Sequence, residues 1–361
     1  MTSRIRGVKI AGIASAVPAS SLDHLKTAER AGVSTEEAEK IAEMTGVYQR
    51  HVAPISCCTS DLANAAAQRL MADLNWAPES IGALVVVSQT HDYALPATAC
   101  ILQRRLALAR SCAAFDVSLG CSGYVYGLWL CGGLLADGVR RVLLLAGDTM
   151  SRACSPQDRS TVFLFGDAGT ATALERDPNA PNLTFVLGTD GSGEEFLIQP
   201  ASGFRNRATP DSFNRLRTPE GSMRNSLDLF MDGTEVFRFT LREVPTMVAE
   251  VLSEAGWTLD DLEAFVPHQA NQFMLRHLAK RLKVPSGKLA LSLERFGNTS
   301  SASIPLTLSH CLNERLRRAP ARLLLAGFGV GWSWGTAAVT LGPMVMPDVI
   351  CLPESESSPA D

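Results

Sequence analysis

One stretch constrains the fold of this chain more than any other: Ser111-Cys-Ala-Ala-Phe-Asp-Val-Ser-Leu-Gly-Cys121-Ser-Gly-Tyr-Val-Tyr-Gly-Leu-Trp-Leu130. Residues 113–117 read as a short buried strand and Ser118-Leu-Gly120 as a tight turn. From Cys121 to about Asp137 the residues are apolar or small on every face, which predicts a helix buried all round. The N-terminus of such a helix carries partial positive charge and free N–H groups, which favour a thiolate at Cys121. Gly120 and Ser122-Gly123 keep the surroundings small enough for a substrate to approach. A strand that turns sharply into a buried helix with Cys at the turn is a way of presenting a nucleophile. A buried, inert thiol is the alternative reading of the same residues.

The rest of the chain alternates in the same manner. Strands are expected over 8–14, 81–88, 141–146, 161–165 and 170–174, and helices over 22–31, 35–44, 61–74 and 97–106. Ser34-Thr-Glu-Glu37 has the form of a capping box, Gly46 ends that helix, and Thr59 and Ser60 are cap candidates for the helix over 61–74. The second half repeats the theme. Strands are expected over 183–188, 195–199, 264–266 and 337–341, with helices over 236–255 and 272–282. Continuous apolar strands between helices indicate an α/β protein with a covered, mostly parallel or mixed sheet. Arg141-Val-Leu-Leu-Leu-Ala-Gly is echoed by Arg322-Leu-Leu-Leu-Ala-Gly within the run that starts at Ala321, which suggests two similar halves, 1–175 and 176–343. Residues 201–226, polar and rich in Gly and Pro, read as a long loop or cap of the kind that covers a site. Its five arginines, 205, 207, 215, 217 and 224, fit a solvated surface better than a dedicated anion site. Residues 344–361 read as a weakly ordered tail.

Composition excludes several classes. A net charge of −4 gives no basic excess for nucleic acid or a membrane surface. The nine cysteines are odd in number, mostly lie in apolar runs and show no metal spacing. They indicate free thiols in a reducing cytoplasm, and no metal site. Arg4, Arg6 and Lys9 before an apolar run faintly resemble a signal peptide, but the run is short, poor in Leu and ends in a turn, so it reads as the first strand. No run of about twenty uninterrupted apolar residues exists, so no transmembrane helix is expected.

Three further features could carry chemistry beside Cys121. His268 ends a strand in Val-Pro-His-Gln-Ala-Asn271, and Asn298 lies in a loop of small polar residues, Gly297-Asn-Thr-Ser-Ser-Ala-Ser303. Phe328-Gly-Val-Gly-Trp-Ser-Trp-Gly335 is a Gly-rich turn able to point backbone N–H groups inward. Each alone is weak, since a single His is more often structural and a Gly-Asn pair is most often a turn. A dinucleotide loop at the Gly-rich run is set aside, because no strand with an acidic ribose ligand follows it.

Together these pieces resemble the thiolase-fold condensing enzymes, specifically β-ketoacyl-ACP synthase III, over nearly the whole chain from Val8 to Leu341. They stand in the family's order: Thr45-Gly46 with Arg50-His51, Phe115-Asp-Val with Cys121, Asp158-Arg159 before Phe165-Gly-Asp167, Met231-Asp-Gly-Thr-Glu-Val-Phe237, Pro267-His-Gln-Ala-Asn271, Gly297-Asn-Thr-Ser300, and the Gly-rich turn. The resemblance implies a five-layered α/β/α/β/α thiolase fold made of two similar halves, a homodimer, and no metal or redox cofactor. It implies Cys121 as the acylated nucleophile, the N–H groups of Cys121 and Val330 as oxyanion hole, and His268 and Asn298 as donors to a malonyl thioester. The implied reaction is a decarboxylative Claisen condensation in fatty-acid or secondary metabolism. The partners would be an acyl-CoA or acyl-ACP donor, malonyl-ACP or malonyl-CoA, and acyl carrier protein. Pantetheine or CoA contacts would fall at Thr45, Arg159, Gly233, Phe237, Ala270 and Asn271. An acyltransferase acting on an oxygen or nitrogen acceptor, and a non-catalytic partner subunit, are the rival readings.

The chain departs from the family pattern in places. The aromatic and Arg that clamp the adenine of CoA become Lys40 and Met44, which puts acetyl-CoA in doubt as the starter. A Phe of the acyl pocket becomes Leu95, so a longer or branched acyl group is expected. Phe273 replaces an Arg near the tunnel mouth, while Arg276, Lys280, Arg281 and Lys283 keep a basic helix end suited to an acidic carrier protein.

Overall fold

The apolar runs assemble into two sheets. The computed structural model describes residues 1–219, 221–285 and 287–353. The first sheet has six strands in the order Ile350–Leu352, Val8–Pro18, Ala168–Arg176, Arg141–Asp148, Ala83–Val87 and Ala113–Val117. The second has five, in the order Thr2–Ile5, Leu183–Thr189, Ser333–Leu341, Ala321–Gly329 and Ala264–Pro267. Both are mixed, as the continuous apolar runs predict for strands covered on both faces.

The two echoed runs occupy equivalent places. Arg141–Asp148 pairs in parallel with Ala83–Val87 before it and antiparallel with Ala168–Arg176 after it. Ala321–Gly329 likewise pairs in parallel with Ala264–Pro267 and antiparallel with Ser333–Leu341. Each following strand then pairs antiparallel with a further strand, Val8–Pro18 in one sheet and Leu183–Thr189 in the other. The halves are not separable at residue 175, because Thr2–Ile5 completes the second sheet and Ile350–Leu352 the first.

The helix Gly123–Ala136 packs on strands of both sheets, as does Ser303–Cys311. This is why the first is apolar all round: Tyr124, Val125, Leu128, Cys131 and Leu135 meet Val85, Leu144, Phe185, Leu325 and Ala337 in one core. Thr59–Asp73 covers the outer face of the first sheet and Gly233–Ala255 that of the second. The result is five layers, helix, sheet, helices, sheet, helix.

Three expectations are corrected. Residues 161–165 are apolar and β-branched but form a turn. Asp158 accepts from the N–H of Ser160 at 3.0 Å and its hydroxyl at 2.7 Å, and its carbonyl takes the N–H of Val162 at 2.9 Å. The helix expected from residue 22 starts at His24, because Ser21–Asp23 pairs with Gln49–His51 and the Asp23 carboxylate caps the N–H of Lys26. The supposed tail is built into the fold as far as residue 353. Met344 and Met346 are buried, and Ile350–Leu352 runs parallel to Val8–Pro18. Residues 354–361 lie outside the described residues. No helix among the described residues is long and apolar enough to cross a membrane, and no group of three or more metal-ligating side chains occurs among them.

Candidate active site

Cys121 stands two residues before the first turn of Gly123–Ala136, where Gly123 N–H closes onto the Gly120 carbonyl at 2.7 Å. Facing it is the turn after Ala321–Gly329. A Cβ on Gly329 would lie 2.7 Å from the Cys121 Cβ and 2.9 Å from its Sγ, so only glycine fits there. A Cβ on Gly120 would come within 2.3 Å of Gln89 Oε1. The Gly-rich turn therefore acts by close approach, and it sets the backbone N–H of Val330 against the sulfur.

His268 leaves the end of Ala264–Pro267, with its N–H on the Ala326 carbonyl at 2.7 Å and its Nδ1 2.8 Å from Ser303 Oγ. Asn298 is threaded between two backbone groups: it donates to Leu164 O at 2.9 Å and accepts from Gly166 N at 3.0 Å. Its side-chain Oδ1 accepts from the N–H of Ser300 at 2.9 Å. A backbone N–H can only donate, so this bond settles the amide orientation and leaves Nδ2–H2 as the donor.

Cys121, His268, Asn298 and Val330 line one cavity of about 320 Å3. Gly233, Ala270 and Asn271 line it too, the last also capping Gln272–Leu282 through Met274 N–H. Its apolar wall includes Met150, Leu164, Met274 and Phe328, with Leu197, Ile198, Leu229 and Met231 from the segments on either side of the 201–226 arm. Of the arm expected to cap the site, only Ser202 lines the cavity among the described residues, so that expectation is corrected. Among its arginines, Arg224 pairs with buried Asp158 at 3.2 Å and Arg207 lies over Phe204.

Electrostatics departs from one expectation. Burial pushes the Cys121 thiol up to about 12, and the nearby Asp148 carboxylate adds to this. The N–H groups of Val330 and Cys121 and the Ser300 hydroxyl pull it back only in part. The helix terminus does not keep a standing thiolate in the empty site, because desolvation outweighs it. Burial likewise holds His268 down at about 3, against the pull of the Ser300 carbonyl, so its ring is neutral.

Other expected residues lie elsewhere. Thr45 ends its helix with Oγ1 on the Ile41 carbonyl at 2.7 Å, outside the cavity lining. Phe237 packs against Phe273 and His277, and Arg159 is held by Glu37 at 2.7 Å, all outside the cavity lining. Lys40 pairs with Glu36, and Met44 is exposed. Arg276, Lys280 and Arg281 project from Gln272–Leu282 with no ion-pair partner among the described residues. Leu95 is a correction: it is 82 % exposed and does not line the cavity of its own chain. The 89–97 segment leaves the C-terminal end of the inner strand Ala83–Val87, held by Gln89 N–H on Asp148 and Asp92 N–H on Thr98 Oγ1, and Leu95 projects from it into solvent.

Two contributors escaped sequence reasoning. Ser300 has φ of 50°, in the left-handed region unusual for a side-chain-bearing residue, and its buried hydroxyl finds no oxygen or nitrogen partner among the described residues while facing Cys121. Asp148, fully buried at a strand end, accepts six hydrogen bonds, from Ser88 Oγ, Gln89 N, both donors of Thr90, and both donors of Ser301. It fastens the Asn298–Ser301 turn to the first sheet. The only signal in the sequence was an Asp ending an apolar strand.

Comparison with known proteins shows the family. Residues 115–191 match the family 3-Oxoacyl-[acyl-carrier-protein (ACP)] synthase III, and residues 252–341 match its C-terminal family. The chain is 35 % identical over 303 residues to the β-ketoacyl-[acyl-carrier-protein] synthase III of Caldanaerobacter subterraneus, covering 83 % of this chain and 88 % of that one. A Streptomyces coelicolor relative, β-ketoacyl-[acyl-carrier-protein] synthase III 3, is 37 % identical, covering 84 % and 88 %. The crystal structure of a 3-oxoacyl-(acyl-carrier protein) synthase from Burkholderia xenovorans superposes with a TM-score of 0.92 at 42 % identity, covering 98 % of this chain and 99 % of that one. On these matches the chain belongs to the β-ketoacyl-[acyl-carrier-protein] synthase III family of thiolase-fold acyltransferases.

Proposed function

We propose that this protein forms a carbon–carbon bond by decarboxylative Claisen condensation. The observation that carries the reading is the convergence of Cys121, Val330, His268 and Asn298 on one cavity, with the Asn298 amide turned to donate. Cys121 sulfur attacks the carbonyl carbon of an acyl thioester, the N–H groups of Cys121 and Val330 take the oxyanion, and the carrier sulfur leaves with the proton that Cys121 gives up. That exchange suits a thiol held protonated by burial, because the proton passes to the leaving sulfur. A malonyl thioester then enters. Its C–C bond to the carboxylate breaks, CO2 departs, and the electron pair forms an enolate on the thioester oxygen. Asn298 Nδ2–H2 and neutral His268 donate to that oxygen. In this reading the Ser303 hydroxyl, 2.8 Å away, donates to Nδ1, which leaves the His268 proton on Nε2. The enolate carbon attacks the acyl-Cys carbonyl and expels the Cys121 thiolate. Decarboxylation supplies the carbanion, so no charged base is required.

The proposed path of the pantetheine arm runs past half-buried Thr45 and Phe237 and exposed Arg159 to Gly233, Ala270 and Asn271 in the cavity lining. The free cations Arg276, Lys280 and Arg281 stand on the helix whose N-terminus borders the cavity, and they suit the acidic surface of an acyl carrier protein. Charge reversal at Arg276 and Lys280 should raise KM for carrier-bound substrate about tenfold at low salt and leave CoA substrates unchanged. An unchanged KM removes the docking proposal. A homodimer in the cytoplasm is the proposed state of assembly. The paired Lys40 and exposed Met44 offer no clamp for adenine, which supports a starter other than acetyl-CoA.

Intact-protein mass spectrometry with a panel of acyl-CoAs and acyl-ACPs tests the reading, with Cys121→Ala as control. A donor-specific mass gain absent from the variant, discharged by malonyl-ACP with CO2 release, is expected. Discharge onto an oxygen or nitrogen acceptor without CO2 would instead establish the acyltransferase alternative.

A further inference from the structure

A second cavity, of about 470 Å3, shares no lining residue with the Cys121 cavity. Arg295-Phe296-Gly297-Asn298 runs from one to the other. The chain beyond the second sheet closes it, since Asp348, Val349 and Cys351 form part of its wall. Two residues of its lining each carry a buried polar atom without a partner among the described residues, His51 Nε2 and Asn313 Oδ1. His51 is 6 % exposed. Its Nδ1 lies 2.6 Å from the Pro18 carbonyl, which can only accept, so Nδ1 carries the proton and the unpartnered Nε2 is an acceptor. Asn313 Nδ2 donates to the Pro347 carbonyl at 3.2 Å, so its unpartnered Oδ1 is an acceptor too.

The charges around these acceptors are unequal. Arg317 is matched by Asp348 at 3.1 Å and Glu314 by Arg318 at 3.3 Å. Arg295 lines the cavity with no ion-pair partner among the described residues. Phe296 supplies a rigid wall, stacked on His51 at 5.6 Å and met edge-on by His310 at 5.0 Å. Burial, with the Arg295 charge, holds both imidazoles below their ordinary range, which keeps them neutral. A buried polar atom without a partner is costly, and a charge-assisted bond is the strongest contact such a cavity can offer.

We propose that this cavity binds a small oxyanion that carries hydroxyl donors, its charge on Arg295 and its hydroxyls on His51 Nε2 and Asn313 Oδ1. A phosphate that keeps a P–OH and a hydroxylated dicarboxylate share this chemistry. The site is independent of the Cys121 reaction.

Isothermal titration calorimetry of the full chain in mildly alkaline, anion-poor buffer tests it, with inorganic phosphate against sulfate and tartrate against succinate. Under these conditions all four are essentially dianions, and within each pair only the first member has a hydroxyl donor. Saturable binding of phosphate or tartrate at least about tenfold tighter than its hydroxyl-free counterpart is expected, the scale of one hydrogen bond to a charged group. The pair that responds identifies the source. Arg295→Gln, at an exposed position, and Val349→Trp, which fills the cavity from the C-terminal segment, should each weaken it by a similar factor while Cys121 acylation is kept. No saturable binding overturns the proposal. So does binding that sulfate and succinate match, which is adventitious ion binding only, or binding that survives both substitutions and therefore lies elsewhere.

Discussion

Replacing Asn298 by Asp tests the proposed chemistry with almost no change of shape. Asn298 uses Oδ1 to accept from Ser300 N–H at 2.9 Å, and its backbone is fixed between Leu164 and Gly166. An aspartate oxygen can take the same bond, so the turn survives. The group that faces the cavity changes from an N–H donor to an oxygen. Loss of one donor to a developing oxyanion costs about 10²–10³ in rate. An ionised carboxylate beside the enolate adds repulsion, so the loss at pH 8 should reach at least that range. Position 298 is 4 % exposed, and burial raises a carboxyl pKa. Protonation restores an O–H donor, so activity should recover as pH falls through that raised pKa, whereas Asn298→Ala should show no such recovery. The half-reactions are read separately, acylation of Cys121 by intact mass and condensation by CO2 release. Acylation should stay within about threefold of the parent, because Asn298 is not part of the oxyanion hole for that step. Condensation by Asn298→Asp within tenfold of the parent at pH 8, or an equal fall in both half-reactions, would refute the assignment.

Gly329→Ala places a methyl 2.9 Å from Cys121 Sγ, and acylation should fall at least about a hundredfold with circular dichroism unchanged. Asp148→Asn turns one acceptor into an N–H2 that must face either the donors of Ser88, Gln89 and Thr90 or those of Ser301, so the midpoint of thermal unfolding should fall, with a loss on the order of 1–3 kcal/mol, and condensation should slow with it. The raised Cys121 pKa makes thiolate scarce at neutral pH, so alkylation by iodoacetamide should climb about tenfold per pH unit from 7 to 9 without a plateau. A plateau near pH 7 would mean that the thiolate is stabilised in the resting site. His268, held at about 3, should add no inflexion between pH 5 and 8.

Much of the scaffold was legible because its signals are local. The helix Gly123–Ala136, apolar on every side, was expected to be buried all round, and it packs on strands of both sheets. The echoed run suggested two similar halves, and its two strands hold equivalent places in the two sheets. The short runs around Cys121, His268 and Asn298 singled out candidate site residues, and the structure brings all three to one cavity. Where a local pattern was overruled, a long-range partner or a nearby cap was responsible. Residues 161–165 have strand composition, but Asp158 turns them. The 344–353 segment has tail composition, yet it finds an open sheet edge. Leu95 was placed by alignment of motif against motif, and the backbone around it carries the side chain outward.

The sequence by itself determined an α/β scaffold of covered strands between helices and pointed to two similar halves, because periodicity and turn chemistry act over neighbouring residues; the layer order and the candidate residue roles came from the family resemblance. Tertiary structure alone decided the rest. It set Val330 against Cys121, aimed the Asn298 amide through Ser300, and tied that turn to Asp148, 153 residues away in sequence. It also decided the charge states, since the same Cys and His would titrate near their ordinary values in water, and only burial makes one a stubborn thiol and the other a neutral ring.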